Sequence, residues 1–188
     1  MNLYINKHIR LSFKNSEEIS EYYNSQKINY PKFFKMDILS KLGLIASEII
    51  FIDKENRFEP CEDIAIICFN SSSSLETDTK YQATISDNNN YFPSPSLFVY
   101  TLPNIVTGEI AIRNKFLAET SFYISKSFDE NIILEIIKNA FFDKSTKMVL
   151  FAWIESFEEK HEVIMALISN EKSDMEFTKE QVKILYSN

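Results

Sequence analysis

The run IAIICF at residues 64–69 constrains the fold more than any other stretch, because a short, continuously apolar strand is hidden from water only when both of its faces are covered. Two more such runs follow, MVLFAWIE at 148–155 and EVIMALI at 162–168, and TSFYI at 120–124 reads as a shorter strand. Between them the apolar spacing is helical. After Asp37, a good N-cap, MDILSKLGLIASEIIF places apolar residues at 38, 39, 42, 45, 46, 49 and 50, one broad buried face. Helices are also expected over 104–115 and 127–142, in the polar stretch SEEISEYYN, and from Thr178 to the end; residues 3–13 alternate like a strand or hairpin edge. Strands separated by helical patterns predict an α/β sheet with helices on its faces.

Composition narrows the class. With 45% hydrophobic and 14% aromatic residues, 188 residues are enough for one core, and residues 1–188 are expected to form one domain. The loop SDNNNYFPSPS is the least ordered part by composition, but neither side of it has the apolar content to stand alone. A net charge of -7 and a pI near 5.0, with arginine only at Arg10, Arg57 and Arg113, argue against a nucleic-acid partner. The N-terminus shows no signal peptide and no membrane span, so a cytoplasmic protein that does not enter a membrane is expected. Cys61 and Cys68 have no metal-ligand spacing around them and read as buried free thiols, with no metal and no cofactor expected.

Glycine is scarce, with Gly43 and Gly108 the only two. Gly108 lies inside the helix expected at 104–115, where it costs about 1 kcal/mol relative to alanine. Thr107, Gly108 and Ala111 fall on one side of that helix, so the expectation is a small-residue patch against which another backbone packs closely. Asn104 is the expected N-cap.

The stretch PSPSLFVYTLPNIVTGEIAIRNKFLAETSFYIS resembles the β-ketoacyl synthase family, thiolase-like enzymes that elongate acyl chains on acyl carrier protein. The family's N-x-x-x-G helix is matched by Asn104-Ile-Val-Thr-Gly108, and its following turn is degraded to Lys115–Glu119. The helix KMDILSKLGLIASEII and the strand IAIICF are similar to an earlier helix and strand of the family, so the likeness covers roughly residues 36–155. It implies a thiolase-like half-fold, layered α-β-α with a mixed sheet.

Counted without gaps from Asn104, the family's nucleophilic cysteine falls on Ser127. The two histidines that the enzymes need in their C-terminal half have no counterpart: His8 lies in the first strand and His161 in the charged turn EEKHE. Ser127-Phe-Asp-Glu130 reads as a capping box, and Ser127 as a vestigial nucleophile position that now opens a helix with the apolar stripe Phe128, Ile132, Ile133, Ile136, Ile137 and Ala140. The resemblance thus implies a pseudoenzyme, a non-catalytic subunit like a chain length factor of aryl polyene or flexirubin-type pathways. It would pair with an active ketosynthase or with itself, and meet acyl carrier protein only indirectly. The implied interface is Thr120, Ser121, Phe122, Tyr123 and Ile124, and the implied acyl-tunnel wall is Leu97, Phe98 and Asn104. The alternatives are a serine-dependent acyltransferase or hydrolase using Ser127, which would need an adjacent base, and a stand-alone acyl-binding protein.

Other motifs carry less. HEVIM at 161–165 lacks the second histidine of a zinc protease and suits a strand. Glu155, Glu158, Glu159 and Glu162 read as a solvated charged turn, and Ser71–Ser74 as a turn, since no glycine or lysine completes a phosphate loop. The aromatic and apolar group Tyr91, Phe92, Leu97, Phe98 and Tyr100 is read, residue by residue, as core.

Overall fold

A computed structural model describes residues 2–89, 91–158 and 160–187. β1 (Tyr4–Phe13), β2 (Ile64–Asn70), β3 (Thr120–Ile124), β4 (Met148–Phe157) and β5 (Lys160–Ser169) form one sheet in the order β1-β5-β4-β2-β3. β2 runs parallel to both β4 and β3, while β5 is antiparallel to β4 and to β1, so the sheet is mixed.

The central strands confirm the reading of IAIICF. All of β2 is buried, and period two divides it: Ile64, Ile66 and Cys68 face one core, Ala65, Ile67 and Phe69 the other. β4 divides likewise, with Leu150, Ala152 and Ile154 on the first face and Val149, Phe151 and Trp153 on the second. The first face is covered by α1 (Ser16–Ser25), α2 (Ile38–Ile50) and α5 (Ile105–Asn114), through side chains such as Ile19, Leu42 and Ile110. The second is covered by α6 (Glu130–Ala140) and α7 (Lys179–Ser187), through Ile133, Ile137, Val182 and Leu185. Three layers result, as expected. Two short helices, α3 (Leu75–Ala83) and α4 (Pro95–Val99), connect β2 to α5.

Asp37 caps α2 as expected, its carboxylate accepting from Ser40 N at 3.0 Å. Asn104 holds the cap position of α5, but its side chain bonds nothing there; its backbone carbonyl instead accepts from Thr107 Oγ1 at 2.8 Å. The capping box at Ser127 is not formed. α6 starts two residues later, capped by Asp129, whose carboxylate accepts from Asn131 N and Ile132 N at 2.9 and 3.2 Å. The cause is Phe128, whose ring stacks on Tyr186 at 4.1 Å and meets Trp153 edge-on at 5.2 Å, holding the chain out of the helix. Ile132 of the expected stripe is 45% exposed, whereas Ile133 and Ile137 are buried.

The close approach sits at the other glycine. A Cβ on Gly43 would lie 2.5 Å from Val106 Cγ2 and 3.2 Å from both Ile110 Cδ1 and Ile154 Cδ1, so Gly43 is what lets α2 and α5 meet over the sheet. A Cβ on Gly108 would meet nothing within 4 Å. Of the expected patch, Thr107 is buried and Ala111 packs against the core, but Gly108 faces open space.

Candidate functional site

The two edges of the sheet differ. β1 is guarded: Lys7, His8 and Arg10 are exposed along it, its pairing is interrupted between Ile5 and Lys7, and residues 173–177 cover its start. That cover is bonded by Ile5 N to the Met175 carbonyl and by Phe177 N to the Leu3 carbonyl, both at 2.8 Å. These are the devices by which sheet edges are kept from pairing. β3 has none of them. It occupies Thr120–Ile124, as the sequence predicts, and among the described residues no strand pairs with its outer side.

Hydrogen bonds fix which groups of β3 point outward. Ile66 N donates to the Glu119 carbonyl and Ser125 N to the Asn70 carbonyl, so odd-numbered residues bond to β2. The N–H and C=O of Thr120, Phe122 and Ile124 therefore project from the sheet. Phe122 packs partly into the first core, Tyr123 stacks on Phe69 at 5.1 Å, and Ser121 Oγ donates to Glu119 Oε1. Ile124 is 59% exposed, and Leu117, just before the strand, is 62% exposed.

Ser127 lies beyond the end of β3 and is exposed; its carbonyl accepts from Ser125 Oγ at 2.9 Å, and among the described residues its hydroxyl has no protein partner. The imidazole nearest to a serine is elsewhere. His161, expected in a solvated turn, is buried on β5, its Nδ1 3.4 Å from Ser156 Oγ. Glu155 and Glu162 are buried too, because the hairpin from Phe157 to Lys160 is tight, with Glu158 at φ 56°, and strand geometry runs almost to its tip. Glu162 is paired with Lys160 at 2.8 Å and Arg10 at 3.4 Å. Glu158 is exposed as expected, and Glu159 lies outside the described residues.

Glu155 forms no ion pair among the described residues; it accepts from Ser71 N and Ser71 Oγ at 2.6 Å and from Ser72 Oγ at 2.7 Å. The serines are a turn, as read, but a turn bonded to a buried carboxylate. Glu76 on α3 accepts from Ser156 Oγ at 2.5 Å and lies 4.0 Å from His161 Nδ1. This polar cluster at the carboxyl ends of β2 and β4 was missed in the sequence. Its one signal is a glutamate at the end of an apolar strand whose parallel neighbour ends in serines. Nearby, burial pushes Asp37 above the usual carboxylate range against the bonds from Ser40 and Thr77.

Neither cysteine is set up as a nucleophile, since burial pushes both thiols up, with Cys68 fully enclosed and Cys61 donating to Asp63 Oδ1 at 3.0 Å. A surface hollow of about 680 Å³ beside Cys61, lined also by Lys54, Asp63 and Lys147, lies at the opposite end of the sheet.

The aromatic group before α5 is not core. Phe98 is 58% exposed, Tyr91 and Phe92 are exposed and Leu97 is half-buried; only Tyr100 is inside, its hydroxyl donating to Glu109 Oε1 at 3.1 Å. Asn104 is exposed as well. Leu97, Phe98 and Asn104 thus stand on the surface of this chain.

The layered arrangement, with its mixed five-stranded sheet, is the thiolase-like fold of the ketosynthases. No family model matches the sequence, and no curated protein matches it. Among solved structures, the chain is similar to a ketosynthase in complex with its chain length factor from Xenorhabdus doucetiae, with TM-score 0.68 at 14% identity over 99% of this chain and 90% of that one. It is also similar to the ishigamide ketosynthase/chain length factor, with TM-score 0.73 at 12% identity over 93% of this chain and 64% of that one. A β-ketoacyl synthase from Burkholderia phymatum matches with TM-score 0.60 at 9% identity over all of this chain and 61% of that one. The chain spans less than two thirds of the length of the last two.

Proposed function

We propose that this chain is a non-catalytic ketosynthase-like subunit that pairs through β3 with an active β-ketoacyl synthase, in the manner of a chain length factor. The observation that carries the reading is the contrast between the guarded edge β1 and the bare edge β3, whose outward N–H and C=O groups are flanked by exposed Ile124 and Leu117. The likeness to ketosynthase complexes with chain length factors supports it. Among the described residues no side chain hydrogen-bonds the exposed Ser127 hydroxyl, which weighs against a serine-dependent acyltransferase or hydrolase, since a serine nucleophile needs an adjacent base. In this reading Thr120–Ile124 form the interface, and half-buried Leu97 with exposed Phe98 and Asn104 is covered by the partner, where the side chains of Leu97 and Phe98 fill space that a growing acyl chain would otherwise enter. The setting is acyl-chain elongation for a pigment or polyketide, with carrier protein meeting the partner and not this chain.

The test is co-expression of the tagged chain with a ketosynthase of the same organism, followed by affinity purification. A stoichiometric complex is expected. Thr120→Pro removes one outward N–H that no bond among the described residues uses, at the first residue of an edge strand, where proline is accommodated, so the monomer's melting temperature should hold while affinity falls about tenfold or more. A complex of unchanged affinity, or a chain that stays monomeric beside every ketosynthase supplied, would rule the reading out.

A further inference from the structure

The stretch from Ser71 to Pro103 is built the wrong way round for a cover. Of its large apolar side chains only Tyr100 is buried, while Leu75, Tyr91, Phe92, Phe98, Val99 and Leu102 are 44–79% exposed. α3 contributes a single buried residue, Thr77, so it has no apolar stripe to hold it on the sheet. Its attachment is polar. Glu155, reaching out from β4, holds the turn after β2 through Ser71 and Ser72, and Glu76, reaching in from α3, holds Ser156 Oγ of β4. Thr77 Oγ1 adds a longer bond to Asp37 Oδ2 at 3.3 Å.

The two helices are also tied to each other. Ser74 Oγ donates to the Thr101 carbonyl at 2.7 Å, and the rings of Tyr81 and Phe98 lie 5.4 Å apart. The stretch is anchored at both ends, by Asn70, whose side chain bonds Ser73 N and the Ser73 carbonyl, and by Tyr100 on Glu109. Ser73 has φ 53°, a left-handed turn at the first anchor.

We propose that α3 and α4 open and close as one unit, a strap latched by Glu155 and Glu76 over the carboxyl ends of β2 and β4. Segments with few buried apolar contacts open at a fraction of the global unfolding free energy. What the strap covers is Ser156 and His161, both buried, at the strand ends outside which open α/β sheets bind ligands. The inference concerns the chain alone and does not depend on a partner.

Hydrogen exchange of the full-length chain, read by mass spectrometry, tests it with Ser156→Ala, which removes the donor to Glu76, and Glu155→Gln, which keeps the volume but not the charge. Each variant is expected to speed amide exchange in residues 75–83 and 95–99 about tenfold or more, the scale of a charge-assisted bond, with α2 and β5 unchanged. Equal acceleration in α2 and β5 would show that the strap opens only with the whole protein, and unchanged exchange in both helices would show that the carboxylates do not fasten it; either result overturns the proposal. If Glu155→Gln fails to fold, Ser156→Ala decides by the same criteria.

Discussion

Replacing Glu48 by alanine is expected to destabilise the protein by about 3–5 kcal/mol, the cost of leaving buried charge unpaired. Glu48, on the last turn of α2, is 7% exposed, and two of the three arginines converge on it. Arg113 Nε donates to Glu48 Oε1 at 2.6 Å. Arg57 Nη2 lies 2.9 Å from the same oxygen, off the line of a hydrogen bond, so its attraction there is one of charge more than of aligned donation. Arg57 is further fixed by donating to Asn114 Oδ1 at 3.0 Å and to the Glu48 carbonyl at 3.3 Å, and Arg113 stacks between Tyr30 and Phe58. Burial draws the Arg57 pKa below its ordinary value and Glu48 opposes that, so without the carboxylate two guanidinium groups face each other in a poorly hydrated site. Urea unfolding should show the loss as a lower midpoint at an unchanged slope, with a melting temperature lower by roughly 6–20 °C. Lys80→Ala, breaking the exposed pair with Glu76 one helical turn away, should cost no more than about 0.5 kcal/mol. Equal effects from the two substitutions would mean that the Glu48 network is not the joint between α2, residue 57 and α5.

That joint was invisible in the sequence, where Glu48, Arg57 and Arg113 are separate charges. What could be read was whatever one strand or one helix decides alone. IAIICF has no arrangement but burial on both faces, whereas composition marked TSFYI only as a short strand; its place at the edge, β3, was implied by the family resemblance and not by its own residues. The polar cluster failed to show for the opposite reason. EEKHE looks like a loop because its residues are charged, yet the turn between Phe157 and Lys160 is so short that Glu155, His161 and Glu162 remain in the ladder. Once in the ladder, Glu155 meets the serine turn, His161 lies beside Glu76 of α3 and Glu162 pairs with Lys160 and Arg10, partners that no local pattern announces. The misplaced helix start is similar: Ser127 and Asp129 are both good caps, and the choice was made at a distance by Trp153 and Tyr186 holding Phe128.

The two glycines carry this lesson into a second prediction. By sequence they are alike, each inside a helix and each paying the same backbone entropy. Gly43→Ala is expected to destabilise by about 1–3 kcal/mol, because the new methyl would lie 2.5 Å from a branch of Val106, a β-branched side chain that is stiff at χ1 and buried in the core. Gly108→Ala should stabilise the isolated chain by up to about 1 kcal/mol, since it gains helix propensity and meets no atom within 4 Å. The two variants should therefore move the unfolding midpoint in opposite directions. Gly108 lies two residues on from Val106, hence about 200° around α5 and turned away from α2, so the monomer offers no reason for its lack of a side chain. If β3 pairs with a partner, α5 is the helix beside the joined edge, and Gly108→Leu should weaken that complex while leaving the isolated chain no less stable than the wild type. A Gly108→Leu chain that binds its partner normally would make the residue a neutral loss, and a Gly43→Ala chain as stable as the wild type would mean that α2 and α5 are not packed as closely as Val106 requires.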